Sequence, residues 1–273
     1  SLIKTWGIST IAFFIISAAL NILSLVCPLF DFTNTSESKD WTPSSIVVTL
    51  FLFNNSIIYL AIIYYSISIL YNIILMNFEE NYILENNRVR LSPLGISDFA
   101  NLLPYSTLEP DLWKYSLVQA IGEDGLRHYI ELALAGKHAE KEYPFIVWDK
   151  THQKYVGSTR FYDIQLKHKT LQLGYTWYGK IAQGTGVNKN CKFLLLEFAF
   201  DTLGIERVEF RADIENKRSI AAMHSIGCQT EGILRSNCFK QDGSRRDSIV
   251  LSILKSEWES HVKSMLKQKI NSK

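Results

Sequence analysis

The chain has 273 residues, with 29 lysines and arginines against 27 aspartates and glutamates, for a formal net charge of +2. So mild an excess lacks the clustered basic residues of a nucleic-acid footprint, and no nucleic-acid partner is expected. The four cysteines, Cys27, Cys191, Cys228 and Cys238, are widely spaced and form no CxxC pair. That spacing argues against a zinc site or a disulfide framework, so no metal is expected.

These averages conceal two unlike parts. Residues 1–76 contain only five charged side chains, Lys4, Asp31, Glu37, Lys39 and Asp40. No charge occurs from Thr5 to Phe30, nor again from Trp41 to Phe78, where Ile46–Leu75 is the densest apolar stretch. About 20 apolar residues cross a bilayer core as a helix, and each run is long enough. The link Asp31–Asp40 is net negative, Lys4 precedes the first run, and Arg88 and Arg90 follow the second. On the positive-inside rule both ends are cytoplasmic. The expectation is a transmembrane hairpin at 1–76 that holds a domain, 77–273, at the cytoplasmic membrane with its catalytic side in the cytoplasm. A cleaved signal peptide would have a shorter apolar region and no second span. The spans carry no ionisable group, which gives transport or proton relay no support. The competing reading starts from the Ile, Phe, Tyr, Asn, Ser and Leu bias that AT-rich DNA produces when translated without selection. In it Met76, the first methionine, initiates a soluble cytoplasmic protein.

Arg88–Pro93 reads as a short strand, 98–104 as a helix started at Ser97-Asp98, and Gly125–Ala135 as a helix stopped by Gly136. Leu112-Trp113-Lys114-Tyr115 is an aromatic loop between them. Tyr143–Trp148 and Tyr155–Tyr162 are strands joined by a polar turn. In Leu171–Tyr178 the alternation places Leu171, Leu173, Tyr175 and Trp177 on one face and Gln172, Gly174 and Thr176 on the other. A helix follows at 187–203, with Phe193, Leu196, Phe200 and Leu203 on one stripe and Gly204 as its stop. Arg207–Ile214 is a strand and 217–226 a helix that begins after Asn216 and ends at Gly227. Strands near 229–237 and 246–254 lead into a polar C-terminal helix. The order β-α-α-β-β-β-α-β-α-β-β predicts an α/β (α+β) domain with a mixed sheet and helices on both faces.

The segment from Tyr175 to Asn188 ends a strand and opens a helix. Gly184 and Gly186 let the backbone turn sharply and approach a ligand with no Cβ in the way. The first-turn N–H groups and the positive end of the helix dipole favour an anion there. Each such dipole contact is worth roughly 0.3–1 kcal/mol. Lys180 and Lys189 add longer-range attraction. The loop has neither the GxxxxGK[ST] of a Walker loop nor the third glycine of a dinucleotide fingerprint.

Leu173-Gly-Tyr-Thr-Trp-Tyr, Gln183-Gly-Thr-Gly-Val-Asn and Leu194-Leu-Leu-Glu-Phe-Ala-Phe stand in order. Arg207-Val-Glu-Phe-Arg-Ala-Asp, Asn216-Lys-Arg-Ser-Ile-Ala-Ala-Met, Ile226-Gly-Cys, Glu231-Gly-Ile-Leu-Arg and Arg246-Asp-Ser-Ile-Val follow them. Over about 88–257 this set resembles the GNAT superfamily of N-acetyltransferases, and within it the branch of the ribosomal-protein N-terminal acetyltransferases. The resemblance implies a splayed central sheet, acetyl-CoA as co-substrate, and direct transfer of acetyl to a primary amine. The expected acceptor is a protein N-terminus, with a polyamine or amino sugar as rival. Dimerisation is left open, and a coenzyme-binding module without turnover is the alternative to an enzyme.

By the same resemblance, the backbone at 174–177, with Tyr175, Thr176 and Trp177, would pair with the pantetheine arm. Ile181, Ala182, Gln183, Gly184, Thr185, Gly186 and Val187 would cradle the pyrophosphate, and Asn216 would touch the coenzyme near its thiol. Ile181 departs from the [Q/R]xxGx[G/A] pattern, so that side-chain contact is lost. A Tyr common seven residues after the Asn is replaced by Met223, which leaves Ser219 as the hydroxyl for the departing thiolate or as a cap of the helix backbone. A backbone N–H around Tyr175–Trp177 would serve the developing oxyanion. Glu209 is the first choice of base, ahead of Asp213, Asp247 and His168. His128, His138, His152, His224 and His261 read as surface or helix-face residues. Tyr175, Trp177, Trp113 and Tyr162 are candidates for an acceptor slot, or for core.

Overall fold

The computed structural model describes residues 76–272. The two spans expected in 1–76 lie outside the described residues, apart from Met76. No described helix is long and apolar enough to cross a membrane. Met76 and Phe78 are both buried in the core of the domain that follows.

Eight strands form one sheet in the order β1-β2-β3-β4-β5-β6-β8-β7. They are β1 (Leu84–Glu85), β2 (Val89–Pro93), β3 (Tyr143–Asp149), β4 (Lys154–Gln165), β5 (Thr170–Tyr178), β6 (Arg207–Asp213), β7 (Gln229–Phe239) and β8 (Arg245–Leu254). Every neighbouring pair is antiparallel except β5 and β6, which are parallel. Helices α1 (Phe99–Leu108) and α2 (Gly122–His138) cover one face, packing Leu102, Leu126, Ile130 and Ala133 with Trp113 and Trp177. Helices α3 (Val187–Glu197) and α4 (Lys217–Ser225) cover the other, together with α5 (Lys263–Asn271), which follows a π turn at Trp258–Val262. The mixed sheet with helices on both faces is therefore present, with β1 as an addition to the expected order.

Local differences have physical reasons. Helix α2 does not stop at Gly136 but runs to His138, and the left-handed reversal falls on Glu140 (φ 57°). Gly136 serves a close approach instead, because a Cβ there would stand 2.7 Å from Glu142 Cγ. Helix α1 runs through Pro104 to Leu108, longer than expected. Helix α3 is buried on every side over Asn190–Leu196, beyond the predicted stripe, because it lies between the sheet and α5. Its continuation is a π turn, Phe198–Thr202, closed by the Leu203 N–H to the Phe198 carbonyl and followed by Gly204 at φ 64°.

The largest difference is in β5. Leu171, Leu173 and Tyr178 pack towards α3, whereas Tyr175 and Trp177 pack towards α1 and α2. Arg160 of β4 faces Gly174 and Ser158 faces Trp177, so two positions on β4 span three on β5. Tyr175 takes φ 48° at this bulge. A bulge inserts one unpaired residue and resets the alternation beyond it, which corrects the expectation that Leu171, Leu173, Tyr175 and Trp177 share a face.

Candidate active site

The bulge coincides with a parting of the sheet. β5 pairs with β6 only at Thr170–Gln172 against Arg207–Glu209, while β6 continues along β8 to Asp213. Beyond Gln172 the two strands diverge, and Tyr175 and Thr176 have no register partner on either side. The wedge opens into a cleft of about 490 Å³, lined by Gly174, Tyr175 and Thr176 of β5, Phe210 to Asp213 of β6, Asn188 and Lys192 of α3, and Asn216, Ser219 and Met223 of α4.

The Gly-rich loop leads to this cleft. A single 3-10 turn, Lys180–Ala182, is followed by Gly184 (φ 76°) and Gly186 (φ 88°), which stands at the N-cap of α3 without any side-chain cap. The amides of Ala182 and Gln183 are taken by the carbonyls of Gly179 and Lys180, and that of Lys180 by Glu109. The amides of Ile181, Gly184, Thr185, Gly186, Val187, Asn188 and Lys189 meet no acceptor among the described residues. A Cβ at Gly184 would find nothing within 4 Å, so the approach to these amides is open. The loop's side chains are mostly committed to holding it. Gln183 donates to the Tyr178 carbonyl and accepts from Arg218, Thr185 donates to the Ala182 carbonyl, and Ala182 and Val187 are buried. Ile181 is exposed. Converging free N–H groups at a helix start suit a diphosphate, so the residues present fit a coenzyme of that kind.

Asn216 caps α4, its Oδ1 accepting the Ser219 amide at 3.1 Å. The cap therefore belongs to Asn216, and the Ser219 hydroxyl has no partner among the described residues while it lines the cleft. Of the four candidate bases, only Asp213 lines it. Glu209 sits where β5 and β6 still pair, with Oε2 held by Arg207 at 2.9 Å and Oε1 by Arg211 at 2.7 Å. Its two oxygens are held at the end where β5 and β6 still pair, outside the cleft lining. Asp247 accepts the Ser236 amide. Tyr162 and Tyr175 line the cleft, but Trp113 and Trp177 are core, edge-to-face with centroids 4.8 Å apart, so their side chains shape no slot.

Four buried polar residues escaped the sequence reading. Arg160, 2% exposed, reaches Glu142 at 2.5 Å and stacks on the Tyr175 ring at 3.6 Å, bracing the bulge. Lys192, 5% exposed, donates to Thr176 Oγ1 at 2.9 Å and has no carboxylate partner among the described residues. Burial pushes its ammonium down to about 8. Arg246 and Gln172 also line the cleft, each with a buried atom unpartnered. Lys192, three and four residues after Lys189 and Asn188, reads in the sequence as part of a polar helix face, so nothing local marks it as buried. Burial raises the Tyr162 and Tyr175 hydroxyls above their ordinary range, so both are neutral donors. Among the described residues no group of His, Cys, Asp and Glu could hold a metal ion.

Residues 88–229 match the family model of the acetyltransferase (GNAT) domain. The chain belongs to the GNAT acetyltransferase family. This GNAT chain is 26% identical over 180 residues to the uncharacterized N-acetyltransferase p20 of Bacillus licheniformis, covering 64% of this chain and 97% of that protein. It is 29% identical over 103 residues to the "Putative ribosomal N-acetyltransferase YdaF" of Bacillus subtilis (strain 168), covering 38% of this chain and 55% of that one. A GCN5-related N-acetyltransferase from Brucella melitensis has the same fold, with a TM-score of 0.65 at 24% identity over 72% of this chain and 88% of that one. The protein is thus an acetyl-CoA-dependent N-acetyltransferase, and its acceptor is an amine.

Proposed function

We propose that this GNAT acetyltransferase transfers acetyl directly to a primary amine at a protein N-terminus. The observation that carries the reading is the run of free amides at the start of α3, which leads into a wedge open between β5 and β6. The likeness to a relative named as a ribosomal N-acetyltransferase supports the kind of acceptor. Acetyl-CoA supplies the acetyl group already activated as a thioester.

The chain's own groups then have three tasks. The amides of Gly184 to Lys189 hold the diphosphate, where a helix start favours negative charge. The bulge leaves Tyr175 and Thr176 outside the strand pairing at the cleft wall, with the Tyr175 carbonyl taken by Tyr129, and one fixed N–H on a developing oxyanion is worth roughly 3–4 kcal/mol. Asp213 takes the proton from the acceptor ammonium, directly or through water, and the Ser219 hydroxyl gives its proton to the departing thiolate and is reprotonated from solvent. Met223, buried beside Ser219 in the cleft wall, has no proton to give.

The full chain incubated with acetyl-CoA and a panel of N-terminal peptides, polyamines and amino sugars should release thiol fastest with the peptides. Coenzyme binding with no thiol release on any amine would sink the reading. On sequence grounds we further propose that the apolar runs Thr5–Phe30 and Ile46–Leu75 hold the enzyme at the cytoplasmic face of a membrane. Recovery of the full-length native chain wholly in the soluble fraction would refute that anchor.

A further inference from the structure

The cleft lining contains two buried side chains of opposite hydrogen-bonding polarity, each with one unpartnered atom. Arg246 of β8 is 7% exposed and lines the cleft. A guanidinium has five N–H donors; here Nη1 reaches the Tyr115 carbonyl at 3.3 Å, and Nε has no acceptor. No carboxylate pairs with it among the described residues, although buried charges are ordinarily paired. Gln172 of β5, also 7% exposed, donates from Nε2 to Asp163 at 2.8 Å. Because a carboxylate can only accept, this contact fixes the orientation of the amide, and Gln172 Oε1 is left as a buried acceptor without a donor.

The charges around them point the same way. Lys192 and Arg246 line the cleft without a carboxylate partner among the described residues, whereas Arg211 is paired with Glu209. Of the two cleft carboxylates, Asp163 accepts from Gln172 and Gln165, and Asp213, the proposed base, accepts the Glu215 amide and lies 3.5 Å from Lys240 Nζ. A polyamine would bring further positive charge to this lining and leave Arg246 unpaired. An acceptor with one amine and one carboxylate supplies the missing donor and the missing anion together.

Resting on the amine-acetylating reading above, we infer that Arg246 is a specificity-determining residue that selects an acceptor carrying a carboxylate near its amine, with Gln172 Oε1 receiving an amine N–H. The carboxylate comes either from a free amino acid or from an acidic side chain next to a peptide N-terminus. The test uses the full chain and acceptors matched in all but one group: alanine against alaninamide, alanyl-glutamate amide against alanyl-glutamine amide, and spermidine. Wild type should favour the carboxylate member of one pair by roughly 10- to 100-fold in kcat/KM, as a charged hydrogen bond provides. The pair that responds identifies the source. The ratio should fall to near one in Arg246→Gln and return in part in Arg246→Lys. Equal rates within both pairs, a preference for spermidine, or an undiminished ratio in Arg246→Gln overturns the inference. If no acceptor is turned over, the functional reading fails by itself, and calorimetric titration of the CoA-loaded chain with N-acetylalanine and N-acetyl-alanyl-glutamate amide decides this one. Binding that Arg246→Gln abolishes sustains it, and absence of binding ends it.

Discussion

The two sides of β5 treat buried charge differently, although each holds buried polar atoms without a partner, Arg160 Nε and Ser158 Oγ on one and Arg246 Nε and Gln172 Oε1 on the other. On the β4 side the sheet is closed and every large buried charge is matched: Arg160 is paired with Glu142 and stacked on Tyr175, and Asp149 is held by Arg88 and His152. On the β6 side the strands part, and Lys192, Gln172 and Arg246 are buried with donors or acceptors unused. The β4 side pairs its buried charges with opposite charges. Lys192 and Arg246 on the other side have no carboxylate partner among the described residues, and burying an unmatched charge destabilises the empty protein.

Substitutions on either side can break or sharpen that contrast. Glu142→Ala should have the largest effect, because it strands Arg160 in the interior; removing one partner of a buried pair destabilises by about 3–5 kcal/mol. A urea midpoint within error of wild type would show that the closed side does not depend on matching. Lys192→Met should act in the reverse sense and stabilise the protein at pH 7. The folded value of about 8 lies below the ordinary 10.5, so the unfolded chain holds this proton more tightly and the folded state bears a penalty below pH 8. That penalty is roughly 3 kcal/mol and fades as pH rises from about 8 to 10.5. Denaturant melts of both proteins should therefore converge near pH 10.5, and a constant gap across that window would remove Lys192 as its cause. Acetyl transfer should fall in the same variant, since the methionine gives the wedge no donor.

Gly184→Val should weaken coenzyme binding by roughly 100-fold, since a branched residue is strained at φ 76° and its methyls stand over the open amides. Calorimetry with CoA reads this directly, and an unchanged Kd would show that the amides of the loop hold no phosphate. Ser219→Ala should be the smallest change, with turnover down roughly tenfold and coenzyme affinity kept. Full activity would take Ser219 out of the proton path.

Much of the architecture was legible because alternation and capping are local. Asn216, Gly204 and Gly227 marked helix ends that the structure reproduces, with Gly204 and Gly227 at positive φ. The reversal of faces in β5 was not legible, since a bulge is set by the partner strand and Tyr175 carries no residue-type signal for positive φ. Arg246 stayed hidden for a similar reason. An arginine at a strand start reads as solvated, and only the fold brings the Tyr115 carbonyl over it. For Glu209, alternation gives the face of the strand but not the ion pairs that Arg207 and Arg211 make with its oxygens.

The close passage at Gly136 has a consequence for evolution of this enzyme. A single methyl there would push on Glu142, whose carboxylate fixes Arg160, whose guanidinium in turn lies on the ring of Tyr175. The bulged backbone at Tyr175 is thus linked to the far end of a helix outside the cleft lining, so under the proposed reading mutations remote from the cleft would tune the reaction.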